Sequence, residues 1–306
     1  MKKLLVALGG NAMVKKGQKG TLEEQLDNLR ATIGQIAQLC RNYRVIITHG
    51  NGPQVGNILI QQESTDAVPQ MPLEICVAQT QGQIGYMIEC TLDNELMKLS
   101  EDMRYLFITV ITYVVVDPDD HAFKNPTKPI GPYYTEEQAK NRPYHFIKTG
   151  RGYRRVVASP RPVTIVEKRE IAKLLDNGFI VIACGGGGIP VTKRGRRFDG
   201  VEAVIDKDLA SAKLAEEVRV DIMLIATDVE KVALNYKTPS QVELDRLTVE
   251  EAKRYLDEGQ FEEGSMKPKI EAAVQFLQSG GERAIITSTD KIIEALEQRA
   301  GTEILR

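Results

Sequence analysis

The sequence lacks both a long apolar run and an excess of either charge. Nowhere do its 306 residues contain the run of about 18 apolar residues that a membrane-spanning helix needs. Lysine and arginine number 40 against 42 aspartates and glutamates, which gives a net charge of −2. Nucleic-acid binding usually requires a basic excess that displaces phosphate counterions. The composition therefore predicts neither membrane insertion nor nucleic-acid binding.

Cysteine and histidine are also scarce. There are four cysteines, none of them in a CxxC pair, and three histidines. A zinc site or a disulfide framework is therefore not expected. The apolar run at residues 4–8 ends at Gly9, too early for the core of a secretory signal peptide. We expect four reduced, mostly buried thiols in a cytoplasmic protein.

Short β-branched runs alternate with segments of helical period. Thr21-Leu-Glu-Glu24 has the form of a capping box, and apolar residues then recur at helical spacing to residue 39. This helix joins strands at 4–8 and 44–48 in a βαβ unit. Further strands are predicted at 106–116 (one strand or two), 179–183, 222–226 and 284–287, and helices at about 74–99, 167–176, 207–217, 248–257 and 268–279. The pattern predicts an α/β protein, a three-layer α/β/α sandwich with a mainly parallel central sheet.

Residues 117–162 interrupt this alternation. Seven of the 13 prolines fall there, and apolar periodicity is weak. An irregular loop of about 45 residues is uncommon inside a compact domain. We therefore interpret this segment as a small lid subdomain inserted into an N-terminal lobe, residues 1–212, with a C-terminal lobe at 213–306.

Three glycine-rich loops follow predicted strands: Gly9-Gly10-Asn11, the segment 49–56, and the four glycines 185–188. Ligands of open parallel sheets bind at the carboxyl ends of the strands, where glycine lets the backbone present N–H groups and helix N-termini favour anions. One such loop alone could simply turn a strand into a helix. Three of them indicate an anionic substrate that carries phosphate. The chain has neither a P-loop nor a dinucleotide fingerprint.

Several single residues are candidates for chemistry. Lys207 follows an apolar run and lies between Asp206 and Asp208, whose carboxylates could hold its ammonium in place. Phosphoryl transfer depends on positioned cations of this kind. His49 could carry a proton, but we interpret it as a ring that holds its glycine-rich turn through a hydrogen bond. Cys184 is interpreted as a buried thiol, and residues 193–197 as a solvated hairpin tip.

With these loops and lysines, the chain resembles the carbamate kinases of the amino-acid kinase superfamily. The matching motifs occur in the family's order over nearly the whole chain. They are VALGGNA (6–12), HGNGPQVG (49–56), NPTKPIGP (125–132), GRG (150–152), SPRP (159–162), CGGGGIP (184–190), GVEAVIDKD (200–208), NY (235–236), GSM (264–266) with PK (268–269), and AIITS (284–288). HGNGPQVG and VIDKD are the most specific of them.

The resemblance implies an activity and its partners. Family members transfer phosphate reversibly and directly, without a covalent enzyme intermediate, between ATP and carbamate, giving ADP and carbamoyl phosphate. The resemblance further implies Mg²⁺ carried by the nucleotide, with no metal site formed by the protein alone. It also implies a homodimer formed through the N-terminal lobe.

The resemblance assigns roles residue by residue. Lys128 resembles the lysine that the lid brings over the site, Lys207 and Lys269 the cations that neutralise the phosphates, and Asp208 the carboxylate that orients them. The positions matching the carbamate and transferring-phosphate site are Gly9, Gly10, Asn11, Gly50, Asn51, Gly52, Gly186 and Gly187. The positions matching the nucleotide site are Asp228, Tyr236, Met266, Pro268 and Lys269.

Two other functions compete with this one. Another carboxylate kinase of the same superfamily would need room and a cation for a larger substrate, and the matched loops contain no obvious insertion for it. A catalytically silent nucleotide- or oxyanion-binding protein would be marked by loss of the lysines. Lys128, Lys207 and Lys269 are all present.

Overall fold

The computed structural model describes residues 1–15, 17–99, 105–150 and 152–306, so Arg151 of the GRG motif lies outside the described residues. Within these ranges the α-helices are α1 (Leu22–Leu39), α2 (Gly52–Gln62), α3 (Leu73–Leu99), α4 (Glu136–Lys140), α5 (Lys168–Asp176), α6 (Lys207–Glu217), α7 (Val249–Asp257), α8 (Met266–Gln278) and α9 (Ile292–Leu296). The predicted capping box begins α1: Thr21 Oγ1 accepts from the Glu24 N–H (3.3 Å), and the Glu24 carboxylate accepts from the Thr21 N–H (3.0 Å). Across the described ranges, no helix has both the length and the apolar character required to cross a membrane.

The strands of the same ranges are β1 (Lys2–Leu8), β2 (Tyr43–His49), β3 (Leu106–Thr109), β4 (Tyr113–Val116), β5 (Lys128–Tyr134), β6 (Phe146–Thr149), β7 (Gly152–Val157), β8 (Pro162–Ile165), β9 (Phe179–Ile182), β10 (Ile189–Arg194), β11 (Arg197–Gly200), β12 (Ile222–Thr227), β13 (Val232–Leu234), β14 (Val242–Leu244), β15 (Arg246–Thr248), β16 (Arg283–Ser288) and β17 (Thr302–Leu305). Eight of them form the central sheet, in the order β15-β17-β16-β12-β1-β2-β9-β3. Paired strands of this sheet run parallel, except that β17 is antiparallel to β16.

Side chains alternate between the two faces of the central sheet. Leu4, Val6 and Leu8 of β1 belong to a buried cluster with residues of α1, α3 and α9. Leu5 and Ala7 belong to a second cluster with residues of α5, α6 and α8. Helices therefore cover both faces, and the predicted three-layer sandwich with a mainly parallel sheet is confirmed.

The segment 106–116 forms two strands that belong to different sheets. Strand β3 is an edge of the central sheet, whereas β4 pairs with β8 and β10 in a four-stranded sheet ordered β11-β10-β4-β8. Between them, the side chain of Gln81 bonds both the N–H (2.8 Å) and the carbonyl oxygen (2.9 Å) of Thr112. These bonds satisfy backbone groups where the chain leaves one sheet for the other. The β10–β11 hairpin has an exposed tip, as predicted for 193–197.

Residues 117–162 contain a sheet of their own, ordered β5-β7-β6, together with α4. Ile130 and Val157 of this sheet pack with Val55 and other residues of α2 and α3 in a third apolar cluster. An ion pair between Arg142 and Glu63 joins the insertion to the end of α2. An independently folding lid stays a prediction, because the insertion shares a core with α2.

Several elements add to the sequence-based expectation, among them α2 and β17. The boundary between the two lobes stays a prediction. Helix α2 begins inside the HGNGPQVG motif and continues to Gln62. Strand β17 follows β16, which matches the strand that we expected to be the last clear one. The central sheet is continuous across residue 212, because β12 pairs directly with β1. The two proposed lobes therefore share one sheet.

Candidate active site

The three glycine-rich loops meet because they follow adjacent strands, β1, β2 and β9. The N–H of Gly50 donates to the carbonyl oxygen of Leu8 (3.0 Å), which joins the second loop to the end of β1. A Cβ placed on Gly50 would lie 3.4 Å from the backbone nitrogen of Gly10. The three loops therefore come together at the carboxyl ends of these strands, where the sequence predicts a ligand site.

The third loop requires glycine because it approaches its neighbours closely. Gly186 has a φ of +67°, and a Cβ there would lie 2.2 Å from Nδ2 of Asn51. Gly187 has a φ of +89°, and its Cβ would lie 2.2 Å from the carbonyl oxygen of Ile205. No side chain fits at such distances. Only the backbone of the loop can contact Asn51 and the segment before α6 so closely.

Asp208 binds two of the predicted lysines. Its Oδ1 accepts from Nζ of Lys207 (2.5 Å), and its Oδ2 accepts from Nζ of Lys269 (2.9 Å). Asp208 and Lys207 lie in the first turn of α6, whereas Lys269 lies in the first turn of α8. The carboxylate thus holds together two ammonium groups that are 62 residues apart in sequence.

Asp206 pairs with a different lysine from the one that its sequence position suggests. Its Oδ2 accepts from Nζ of Lys128 of the insertion (2.8 Å), and its Oδ1 accepts from the N–H of Asp208 (2.9 Å) as the N-cap of α6. The expectation that Asp206 helps to hold Lys207 by a direct bond is not met. Asp206 instead fixes Lys128, the lysine that the insertion brings to the site.

The electrostatics of this cluster keep Asp208 ionised. Burial opposes its ionisation, but the charges of Lys207 and Lys269 outweigh burial and hold the pKa of its carboxyl well below the ordinary range. Burial lowers the pKa of Lys207 in spite of Asp208. Burial also acts to lower the pKa of Lys269, but the surrounding carboxylates, chiefly Asp208, raise it overall. With both oxygens occupied and a low pKa, Asp208 is suited to orienting the lysines.

His49 is buried and its ring contacts the loops on both sides. Its Nδ1 bonds the carbonyl oxygen of Gly50 (3.0 Å), so Nδ1 carries the proton because a carbonyl oxygen can only accept. A Cβ on Gly185 would lie 2.5 Å from Nε2. Burial, with a smaller contribution from the charge of Lys207, lowers the pKa of His49 to about 4. This geometry favours a neutral ring that holds the turn.

Most of the predicted substrate residues line one cavity of about 240 Å³, called here the glycine-loop cavity. Its wall includes Gly10, Gly50, Asn51, Gly52, Gly186, Lys128, Lys207, Asp208 and Lys269. Gly9 and Gly187 lie beside this wall rather than on it, and the N–H of Gly9 donates to Ala226 (2.9 Å). The side chain of Asn11 lies outside the described part of the structure. Three ammonium groups against two carboxylates leave the cavity wall with an excess positive charge, which suits an anion.

A second cavity of about 120 Å³, called here the Tyr236 cavity, adjoins the first. Asp228, Tyr236 and Met266 line it, as the nucleotide assignment expects. Lys269 and Ser265 line both cavities. Pro268 lies in the first turn of α8 but is not among the described residues that line either cavity. The two cavities therefore meet at Lys269, the residue assigned to both phosphate and nucleotide.

Two buried polar residues of α3, Thr80 and Gln81, support the site and were not predicted from the sequence. Thr80 accepts a hydrogen bond from Nδ2 of Asn51 (2.8 Å). Gln81 donates to the carbonyl oxygen of Gly185 (3.1 Å), which ties the third loop to the helix. One feature of the sequence could have identified them. Thr80 and Gln81 follow the apolar residues of the first turns of α3, on the side of the helix that is buried.

The thiol of Cys184 is buried, and burial raises its pKa above the ordinary range. These properties agree with the interpretation of Cys184 as a packed thiol, because a nucleophile requires an accessible thiolate. Among the described histidine, cysteine and acidic residues, no group of three or more is placed to hold a metal ion.

Comparison with known proteins gives consistent results. The model of the amino acid kinase family matches residues 2–288. The chain is 50% identical to the carbamate kinase of Thermococcus kodakarensis over 316 residues, covering all of both chains, and 50% identical to that of Pyrococcus furiosus over 313 residues, covering 99% of each. The solved structure of Giardia lamblia carbamate kinase bound to AMP-PNP is similar, with a TM-score of 0.93 at 41% identity over 99% of this chain and 98% of that one.

Proposed function

Because this chain belongs to the carbamate kinases, within the amino acid kinase family, we propose that its two adjoining cavities hold the two substrates of that reaction. The chain catalyses reversible phosphoryl transfer between ATP and carbamate, giving ADP and carbamoyl phosphate. The main support for this assignment of the cavities is that Lys269 lines both of them. The phosphoryl group is transferred between the two substrates where the two cavities meet.

The glycine-loop cavity is the proposed site of carbamate and the transferring phosphate. Its backbone N–H groups and the N-terminus of α2, which has no side-chain cap, favour an anion there. In phosphoryl transfer, charge spreads over three equatorial oxygens, so that positioning and cations supply most of the catalysis. Lys128, Lys207 and Lys269 provide these cations from three separate elements. No nucleophilic side chain is required, and transfer is direct and in line.

The proposed role of Asp208 is to hold Lys207 and Lys269 at a fixed separation. Both of its oxygens are occupied by ammonium groups, and its pKa lies below the ordinary range. A general base needs a pKa closer to the working pH and a free oxygen to receive the proton. Carbamate arrives already ionised, so its attack on ATP needs no base.

The Tyr236 cavity is the proposed nucleotide site. Tyr236 is partly exposed and offers an aromatic face, with Nζ of Lys237 4.9 Å from the ring centroid. Asp228 and Met266 line the same cavity. Pro268 has a smaller proposed role: it precedes Lys269 in the first turn of α8 and helps to set the direction of that lysine.

Mg²⁺ is proposed to enter with ATP or ADP, where it neutralises charge on the phosphate oxygens. Asp228 and Glu262, on the wall of the Tyr236 cavity, offer carboxylate oxygens of the type that Mg²⁺ prefers. Chelation with EDTA should abolish turnover, and excess Mg²⁺ should restore it. The unfolding temperature of the nucleotide-free chain should not change, whereas a drop on chelation would indicate a resident structural ion.

A homodimer formed through the N-terminal lobe is also proposed. Helix α3 exposes Tyr86 (68% exposed) and Met97, and the edge strand β3 exposes Leu106. Light scattering should give twice the chain mass for the wild type, and Tyr86→Glu should shift it toward monomer. Tyr133→Glu, at an exposed tyrosine of the insertion, is the control and should leave the mass unchanged.

A cytoplasmic location is proposed from cysteine usage. The four cysteines are free, and Cys40, Cys76 and Cys184 are buried. Reduced, unpaired thiols are typical of the cytosol. Fractionation of cells that produce the chain should place it in the cytosolic fraction, and recovery from a secreted fraction would contradict the proposal.

The test of the proposed function is ATP formation from carbamoyl phosphate and ADP in a coupled assay. Lys207→Ala serves as the control for contaminating activity. The forward direction is tested with ATP and a panel of amino-acid carboxylates, and any acyl phosphate is trapped with hydroxylamine. Trapped product from an amino acid, without ATP from carbamoyl phosphate, would favour another carboxylate kinase. Nucleotide binding without turnover on any substrate would favour a silent binding protein.

A further inference from the structure

Thr80 is fully buried in α3 and makes two hydrogen bonds with its hydroxyl group. The hydroxyl is 2.6 Å from the carbonyl oxygen of Val77 and 2.8 Å from Nδ2 of Asn51. A hydroxyl has one proton, and the carbonyl oxygen can only accept, so Thr80 donates to Val77. Toward Asn51 it can then only accept. The amide of Asn51 must therefore present its NH₂ group to α3.

This constraint determines the direction of the Asn51 carbonyl oxygen. With Nδ2 held by Thr80, Oδ1 is the amide atom left for the glycine-loop cavity, which Asn51 lines. Among the described residues no protein group donates to this Oδ1. The two carboxylates of the cavity wall already accept from lysines. Asn51 therefore offers a neutral acceptor in a cavity whose other polar groups mostly donate.

We propose that Thr80 is a positioning residue that sets the selectivity for carbamate, by holding Asn51 so that its Oδ1 accepts from the amino group of the substrate. The inference rests on the proposed function and deepens it. Carbamate and acetate share the planar shape and the charge, but only carbamate has N–H donors beside its carboxylate. If the Asn51 amide were rotated, its Nδ2 would face the amino group of carbamate. Two donors would then oppose each other, and the preference for carbamate over acetate would be lost. A site that bonds a polar substrate group rejects an analogue that lacks it.

The experiment compares carbamoyl phosphate with acetyl phosphate as phosphoryl donors to ADP. The measured quantity is the ratio of their kcat/KM values. Thr80→Val removes the hydroxyl and keeps the shape, so the ratio should fall at least about tenfold, or about 1.4 kcal/mol. Thr80→Ser keeps the hydroxyl and should keep the wild-type ratio.

A matched control exists on the same helix. The hydroxyl of Thr91, also buried in α3, donates to the carbonyl oxygen of Met87 (2.7 Å). Thr91→Val makes the same chemical change away from Asn51 and should leave the ratio unchanged. Partial unfolding of any variant lowers both kcat/KM values together, so the ratio is insensitive to it. Thr80→Ala carries the same expectation as Thr80→Val without adding bulk, and it replaces that variant if the valine does not fold.

Two results would overturn the role of Thr80 alone. One is an unchanged ratio in Thr80→Val or Thr80→Ala while wild-type turnover of carbamoyl phosphate is normal. The other is an equal fall in Thr80→Ser and Thr80→Val, which would point to packing rather than to the hydrogen bond. A wild-type chain that forms no ATP from carbamoyl phosphate would contradict the proposed function, and this inference with it.

Discussion

Replacing His49 tests whether this histidine is held neutral as part of the glycine-rich turn. Burial, with a smaller contribution from Lys207, lowers its pKa to about 4 from the ordinary 6.5. Between these two values the unfolded chain binds a proton that the folded chain does not. The free energy of unfolding therefore falls as the pH is lowered through this window. At about 1.4 kcal/mol per pH unit, the loss amounts to about 3 kcal/mol.

The assay must separate His49 from Glu167, which titrates in an overlapping window with the opposite sign. Burial raises the pKa of Glu167 to about 7, so its contribution to stability increases as the pH is lowered. Urea unfolding is therefore measured from pH 7.5 to pH 4 for the wild type and for His49→Asn. The asparagine keeps an N–H donor for Gly50 but does not titrate. On lowering the pH, the wild type should lose about 3 kcal/mol more than the variant.

His121→Asn is the control, because this histidine is exposed on the insertion. This variant makes the same substitution away from the glycine-rich turn, and its turnover should match that of the wild type at each pH. A stability difference between wild type and His49→Asn that stays constant from pH 7 to pH 4 would refute a neutral His49. Turnover gives a second readout: the pH profile of kcat in His49→Asn should parallel the wild type, and loss of one limb of the profile would identify a proton carrier.

Two further predictions concern the charged cluster. Asp208→Asn keeps the shape but no longer binds both ammonium groups, so kcat should fall about 10²–10³-fold at every pH from about 6 to 9. An acid titration of kcat that the wild type shows and the variant lacks would identify Asp208 as a base. Lys269→Ala should weaken ADP binding and lower kcat, because Lys269 lines both cavities, whereas Lys128→Ala should lower kcat alone. Calorimetric titration with ADP checks this division, and equal ADP affinities of the two variants would contradict it.

Most of the helices and most strands of the central sheet were predictable because their signal is local. The helices predicted at 207–217 and 167–176 match α6 and α5 to within one residue. Apolar residues at a fixed spacing identify such elements without knowledge of the rest of the fold. The split of 106–116 between two sheets was not predictable, because it depends on Gln81, a residue of another element that satisfies the backbone at Thr112.

The site was predictable where glycines and lysines fall in motifs, and less so where distant residues pair. Asp206 lies next to Lys207 in sequence, which suggested a bond between them. The actual partner of Asp206 is Lys128, 78 residues away on the insertion. The role of Thr80 was not predictable for a related reason. A polar residue within a helix usually faces solvent, and only the packing of the fold brings Thr80 to Asn51.

The junction at Lys269 also has a consequence for inhibitor design. A single compound could occupy both cavities if it linked a nucleoside to a carbamate mimic, and its linker would cross between Lys269 and Ser265. A neutral linker would leave three ammonium groups facing only the two carboxylates of the wall. An anionic linker would replace the missing phosphate charge. The affinity of such compounds is therefore expected to depend more on the charge of the linker than on the shape of either end.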